Sequence, residues 1–224
     1  MNKTVLITGA SKGIGLALTK LLLEKNCNVI GTCRSGKIEN FSHPNLTMFK
    51  LDLSDETSID EAAKRIASNY YKIDILINNA GIGPDLEMLL PEKESFLETF
   101  NVNVTGTVFF TESLIQTVNE GGMILNVSSI MGSIGLCSRT GSVAYRMSKT
   151  ALNMYTKVLA NRLDGKMRVA AIHPGWVRTT IAKSNITDGK LSPEESALKI
   201  LSFILSDFKT GIYWNTDTAS EAVW

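Results

Sequence analysis

Short runs of aliphatic and β-branched residues alternate along this chain with longer stretches in which apolar positions recur every three or four residues. Val5-Leu6-Ile7, Asn28-Val29-Ile30, Leu46-Thr47-Met48-Phe49, Ile73 to Ile77, Met123 to Val127, Val169 to Ile172 and the region of Ile212 to Trp214 read as buried strands. Between them the spacing predicts helices from about Ile14 to Lys25, through Ile59, Ala62, Ala63 and Ile66, from about Glu94 to Val118, and from Ala144 to Arg162. Ser54 is the expected N-cap of the second of these. Gly121-Gly122 is expected to turn the chain into the fifth strand. Ser192-Pro193-Glu194-Glu195 opens a last helix with a capping serine, a proline at the first position and a glutamate three residues on. Leu198, Leu201 and Leu205 are its expected inner face.

Strand–helix alternation of this kind predicts an α/β fold. The expected architecture is one doubly wound parallel sheet of Rossmann type, with about seven strands and helices on both faces. No repeat, low-complexity stretch or linker divides the chain, so residues 1–224 are expected to form a single domain. In such sheets ligands bind beyond the carboxyl ends of the strands, so functional residues should directly follow strands.

Composition narrows the picture. Hydrophobic residues make up 44%, enough for a sizeable core. Lys plus Arg number 23 against 22 acidic residues, which speaks against a nucleic-acid partner. Cys27, Cys33 and Cys137 are odd in number and show no C-x-x-C spacing, and only two histidines occur, His43 and His173. Neither a disulfide framework nor a metal site is expected, and a reducing compartment fits best. With no secretory leader pattern and no apolar run of about 20 residues, the expectation is a cytoplasmic protein with no membrane partner.

The first strand runs into Thr8-Gly9-Ala10-Ser11-Lys12-Gly13-Ile14-Gly15, where a helix opens. Glycines there allow a tight turn and close approach of backbone to a pyrophosphate, and the helix N-terminus favours an anion. A glycine turn of this sort can also be purely structural; the strand before it and the helix after it favour the dinucleotide. The second strand ends Gly31-Thr32-Cys33-Arg34 with no acid to hold a ribose 2′-hydroxyl. Arg34, with Lys12, instead suits a 2′-phosphate, although both could be ordinary surface cations.

Tyr145-Arg146-Met147-Ser148-Lys149 places a phenol and an ammonium four apart, on one helix face. A nearby cation favours phenolate and would move the tyrosine towards working pH for acid–base chemistry. Such a pair alone is common on exposed helices. Its company changes the weight: Ser128-Ser129 and Asn78-Asn79-Ala80-Gly81 both follow strands, and Asn103 lies in the long helix, where an inward-facing amide needs a partner. His173 reads as a packed strand-end residue.

The T-G-x-x-x-G-x-G turn, the N-N-A-G run, the Ser and the Y-x-x-x-K, in that order, resemble the short-chain dehydrogenase/reductase family over nearly the whole chain. The resemblance implies NADP(H) as cofactor and a small-molecule carbonyl substrate. It assigns Gly9, Ser11, Gly13, Ile14 and Gly15 to the diphosphate, Arg34 with Lys12 to the 2′-phosphate, and Asp52 and Leu53 to the adenine. Asn79, Ala80, Gly81, Pro174, Gly175, Val177 and Thr179 complete the cofactor site. Ser129, with Ser128 as the neighbouring alternative, would bond the carbonyl oxygen, and Tyr145 would protonate it. Lys149 would lower the tyrosine pKa and bind the ribose, and Asn103 would hold a water linking Lys149 to solvent. Within the family the pattern is most similar to the small carbonyl reductases of the sniffer and C-factor group.

Three departures stand out. The stretch from Ser129 to Tyr145 is long, the segment between Thr180 and Leu191 is short, and the end lacks D-G-G. Arg139, Arg146 and Arg178 could form a basic patch for a carrier-bound acyl substrate. A nucleotide-binding regulatory or interaction protein on the same fold is the alternative from another class. The two long helices resemble the family's dimer surface, so a homo-oligomer, dimer or tetramer, is expected.

Overall fold

A computed structural model of the chain describes residues 1–70 and 72–224. Eight strands form one sheet: β1 (Thr4–Thr8), β2 (Asn28–Cys33), β3 (Leu46–Lys50), β4 (Ile73–Asn78), β5 (Val118–Val127), β6 (Arg168–His173), β7 (Ile212–Asn215) and β8 (Ser220–Glu221). Their spatial order is β3-β2-β1-β4-β5-β6-β7-β8. Every pairing is parallel except β7 with β8, which is antiparallel and is the strand the apolar pattern did not announce. Both β8 residues are exposed, so no hydrophobic run marks it.

The helices are α1 (Gly13–Glu24), α2 (Glu56–Asn69), α3 (Lys93–Phe100), α4 (Thr107–Leu114), α5 (Val143–Arg162), α6 (Lys183–Asp188) and α7 (Pro193–Ile204). Successive residues of a strand point to opposite faces. Val5 and Ile7 therefore join Leu18, Leu22, Ile200 and Ile204 in a core beneath α1 and α7. Leu6 packs on the other face with Ile66, Phe110 and Leu159 of α2, α4 and α5.

Four expectations need correction. Asp55, not Ser54, caps α2, accepting the Thr57 and Ser58 N–H groups, while Ser54 donates to the Asp52 carboxylate. On α7 only Leu201 of the three leucines is buried; Ala197, Ile200 and Ile204 share its inner face, and Leu198 and Leu205 are exposed. The spacing of three to four was right, but its register was misassigned. The helix expected from Glu94 to Val118 is α3 and α4 joined through a π-helical turn at Asn101–Gly106, with a 3-10 turn at Ile115–Thr117. Strand β5 starts at Val118, before the glycine pair, with a register shift opposite Ile73 to Ile75.

Strand order reverses between β1 and β4, and crevices open beyond the carboxyl ends at such a reversal. The ends of β1, β4, β5 and β6 deliver Thr8, Asn78, Val127 and His173 to one edge.

Candidate active site

The turn after β1 closes on itself. Gly9 and Gly13 have φ of 68° and 55°, the left-handed region that glycine adopts freely. A Cβ on Gly15 would come within 2.2 Å of the Gly9 carbonyl oxygen. Asn79 locks the turn, its amide donating to the carbonyls of Thr8 at 2.9 Å and Gly9 at 3.3 Å. The Thr8 hydroxyl in return accepts the N–H groups of Asn79 and Ala80 at 3.0 Å each.

Helix α1 has Lys12 at its N-cap, with no side-chain cap and no acidic residue in its first turn. By contrast α2 is capped by Asp55 and α7 by Ser192 with Glu195. The start of α1 thus keeps free N–H groups and an unopposed dipole, which suits an anion. Lys12 and the half-buried Ser11 border it. Arg34, just past β2, and Lys12 are exposed, and among the described residues neither is in an ion pair. Asp52 is held below the usual carboxylate range, mainly by hydrogen bonds from Ser54 and further by the Arg34 charge. Leu53 is buried, its carbonyl against Gly106.

A cavity of about 520 Å³ opens beside this turn. Ile14, Asn79, Gly81, Ser129, Tyr145, Lys149, Pro174, Gly175, Val177 and Thr179 of the expected set line it. Thr179 also reaches the glycine turn, its methyl 3.3 Å from where a Cβ on Gly13 would lie.

The two serines after β5 part company. Ser128 donates to Asn153 at 2.6 Å and is committed to the α5 scaffold. Ser129 lines the cavity with the Tyr145 phenol and favours its ionised form, and its oxygen accepts the Met131 N–H at 3.2 Å. The Ser129 carbonyl accepts the buried Tyr213 hydroxyl at 2.5 Å.

Tyr145 and Lys149 share one face of α5, the ammonium 5.6 Å from the phenol ring centre. Lys149 donates to the Val127 carbonyl at 2.9 Å. Burial drives its pKa down to about 8. The sequence expectation that Lys149 pulls the tyrosine towards neutrality does not hold for the chain by itself. Burial pushes Tyr145 up to about 12, the Ser129 hydroxyl opposes, and the Asp85 charge adds to the rise. Lys149 does not offset this, being itself desolvated and turned to the Val127 carbonyl. The phenol carries its proton at neutral pH, as an unshifted tyrosine also would.

Asn103 sits in the π-helical turn, 1% exposed. Its amide bonds both backbone groups of Ile82 at 2.8 Å and the Ser148 hydroxyl at 3.1 Å. A Cβ on Gly81 would come 3.2 Å from the Asn103 oxygen and 3.4 Å from the Lys149 nitrogen. A side chain there would press on the Asn103 amide.

His173 is driven down to about 4 by burial, and its Nδ1 has no hydrogen-bond partner. Of the three arginines, Arg139 and Arg146 line the cavity, whereas Arg178 is drawn away to the carbonyls of Gly189 and Lys190. Leu86, Ile130, Met131, Leu136, Trp176 and Ile181 supply apolar walls.

Sequence reasoning missed Thr8, Asp85, Asn153 and Tyr213. Thr8, a polar residue closing an apolar strand, was legible in principle. The other three make contacts to residues that are 25 or more positions away, which no local pattern encodes. Among the described residues no helix is long and apolar enough to cross a membrane.

Residues 3–190 match the family model described as short chain dehydrogenase. The 3-oxoacyl-[acyl-carrier-protein] reductase FabG of Thermotoga maritima is 30% identical over 230 residues, covering 92% of this chain and 91% of that protein. The carbonyl reductase Sniffer of D. melanogaster is 28% identical with a TM-score of 0.85 and full coverage of both chains. The NADPH-bound carbonyl reductase from chicken fatty liver is 27% identical with a TM-score of 0.89, covering 99% of this chain and 94% of that one.

Proposed function

This chain belongs to the short chain dehydrogenase family, and on that premise we propose that it is an NADPH-dependent reductase of aldehydes or ketones with Tyr145 as the proton donor. The observation that carries the reading is the convergence of Ser129, Tyr145 and Lys149 on one cavity beside an uncapped helix start. The site fits a dinucleotide: the α1 N–H groups would hold the diphosphate, and Arg34 with Lys12 the 2′-phosphate. Asn79 to Gly81 and Pro174 to Thr179 would flank the nicotinamide. The NADPH-bound carbonyl reductase from chicken fatty liver, similar over nearly the whole chain, supports the same choice.

When bound, NADPH supplies the hydride that reaches the carbonyl carbon. Ser129 donates a hydrogen bond to the carbonyl oxygen and sets its distance from Tyr145. Tyr145, neutral at working pH, gives its proton to that oxygen as negative charge develops there. Lys149 then stabilises the phenolate left behind and orients the ribose, and Asn103 holds the segment after β4 that borders both. The apolar walls exclude water and take the body of the substrate.

A second reading, a carrier-linked acyl substrate, is favoured by Arg139 and Arg146 at the cavity and by the acyl-carrier-protein reductase relative. Oligomerisation through a second copy is supported by the exposed stripe Met147, Met154 and Val158 on α5; a monomer in sedimentation at micromolar concentration would count against it.

The test is the loss of NADPH absorbance with a panel of free and carrier-linked carbonyls. Turnover should fall at least about 100-fold in Tyr145→Phe. Arg34→Glu should raise KM for NADPH about tenfold or more while sparing NADH. Preference of the wild type for NADH, or full activity of Tyr145→Phe, would overturn the respective assignment. Saturation by carrier-linked but not free substrates would select the second reading.

A further inference from the structure

Helix α5 starts without help from its own preceding residue. Ser142 is left-handed, φ 57°, and its side chain makes no cap; it donates instead to the Leu86 carbonyl at 2.9 Å. The acceptor for the first turn comes from the segment after β4. Asp85, 1% exposed, accepts the Ala144 N–H at 2.7 Å through one carboxylate oxygen. Both of its oxygens accept the Tyr145 N–H, at 3.1 and 3.2 Å.

The same segment also grips the ring. A Cβ on Gly83 would lie 3.0 Å from a Tyr145 ring carbon. The segment is itself pinned, with Leu86 donating to Gly83, Met88 to Asp85 and Ser142 to Met88 through their N–H groups. Tyr145 is thus held by backbone and by ring from one short stretch of chain.

A carboxylate is a costly choice for that place. Serine, threonine or asparagine caps a helix as well as aspartate, and burying a charge without a counter-ion is unfavourable. Among the described residues no cation is paired with Asp85. Its chemistry differs from a neutral cap in one respect. The positive end of the α5 dipole favours an anion in the first turn, where Tyr145 sits, and a carboxylate there opposes that field.

We propose that Asp85 is a positioning residue for the reaction: its carboxylate fixes the first turn of α5, and with it Tyr145, and sets a negative charge at the turn that carries the phenol. The inference rests on the reading of Tyr145 as proton donor. Asp85 adds to the upward shift of Tyr145, after burial. The other groups facing the phenol are Lys149 and Arg146 on α5, Ser129 after β5, His173 at the end of β6 and Tyr213 on β7, with Arg139 on the loop before α5. Arg146 is directed to the Gly141 carbonyl at 3.0 Å. None of these is anionic at neutral pH, so Asp85 is the group of opposing sign.

The test titrates Tyr145 directly, by NMR of protein carrying tyrosine labelled at Cζ and saturated with NADP⁺. Five tyrosines give few resonances, and Tyr145→Phe identifies the one that matters. In Asp85→Asn and Asp85→Ser the Tyr145 titration should move down by about half a pH unit or more. Asp85→Glu, which keeps the charge, should restore the wild-type midpoint. Coincident titrations in folded neutral variants would overturn the proposal. Loss of cooperative melting in both neutral variants would overturn it too, because the carboxylate would then serve the fold itself. Turnover of Tyr145→Phe is read separately: if it persists, the proton-donor reading fails even where the Asp85 shift stands.

Discussion

Two adjacent serines at the end of β5 differ only in what surrounds them, and that difference assigns their work. Ser128 is spent on Asn153, so Ser128→Ala leaves a buried amide oxygen without its donor. It should cost about 1–3 kcal/mol of stability, read by denaturant melting, with kcat changed little. Ser129→Ala should leave stability nearly untouched and lower kcat about 100-fold, since its hydroxyl faces the phenol and the cavity. The reverse pattern would exchange their roles. Ser129 was readable as a strand-end hydroxyl, but choosing between the two serines was not, because the choice depends on which one α5 covers.

Among elements, the α3–α4 passage shows what periodicity can and cannot report. An apolar spacing over residues 94–118 correctly announces helix, yet the π-helical turn at Asn101–Gly106 leaves no trace in it. That turn places Asn103 inward against Ile82, and π-helical turns are often found at functional sites. Gly106 shows the close approach behind it: a Cβ there would fall 2.0 Å from the Leu53 carbonyl oxygen. Gly106→Ala should therefore destabilise the protein by about 3 kcal/mol or more, seen as a lowered Tm. It should also weaken activity through Asn103. Unchanged melting would mean that the turn and the Leu53 loop before α2 can move apart freely. Helix α7 is the opposite case: its capping box stands in the sequence and in the structure alike.

At the scale of the whole molecule, one sheet edge gathers groups that burial drives away from their ordinary ionisation. His173 is the clearest for stability. Its folded pKa, about 4, lies below the ordinary 6.5, so the unfolded chain takes up the proton first. Stability from this group is complete above about pH 6.5 and falls as pH drops to about 4, by roughly 3 kcal/mol. His173→Gln should flatten denaturant midpoints across that window; an equal slope in both proteins would assign acid sensitivity elsewhere. The fold class, the parallel sheet, the glycine turn and the order of the chemical motifs all came from the sequence, because period, turn chemistry and strand-end placement are local properties of the chain. What only the tertiary structure decided is which side chains share a cavity and how each is charged there. Asp85 reaching Tyr145, Tyr213 reaching Ser129, Arg178 drawn away from the other two arginines, and a tyrosine raised rather than lowered all depend on contacts between distant segments and on the water those contacts exclude. A one-dimensional pattern records neither.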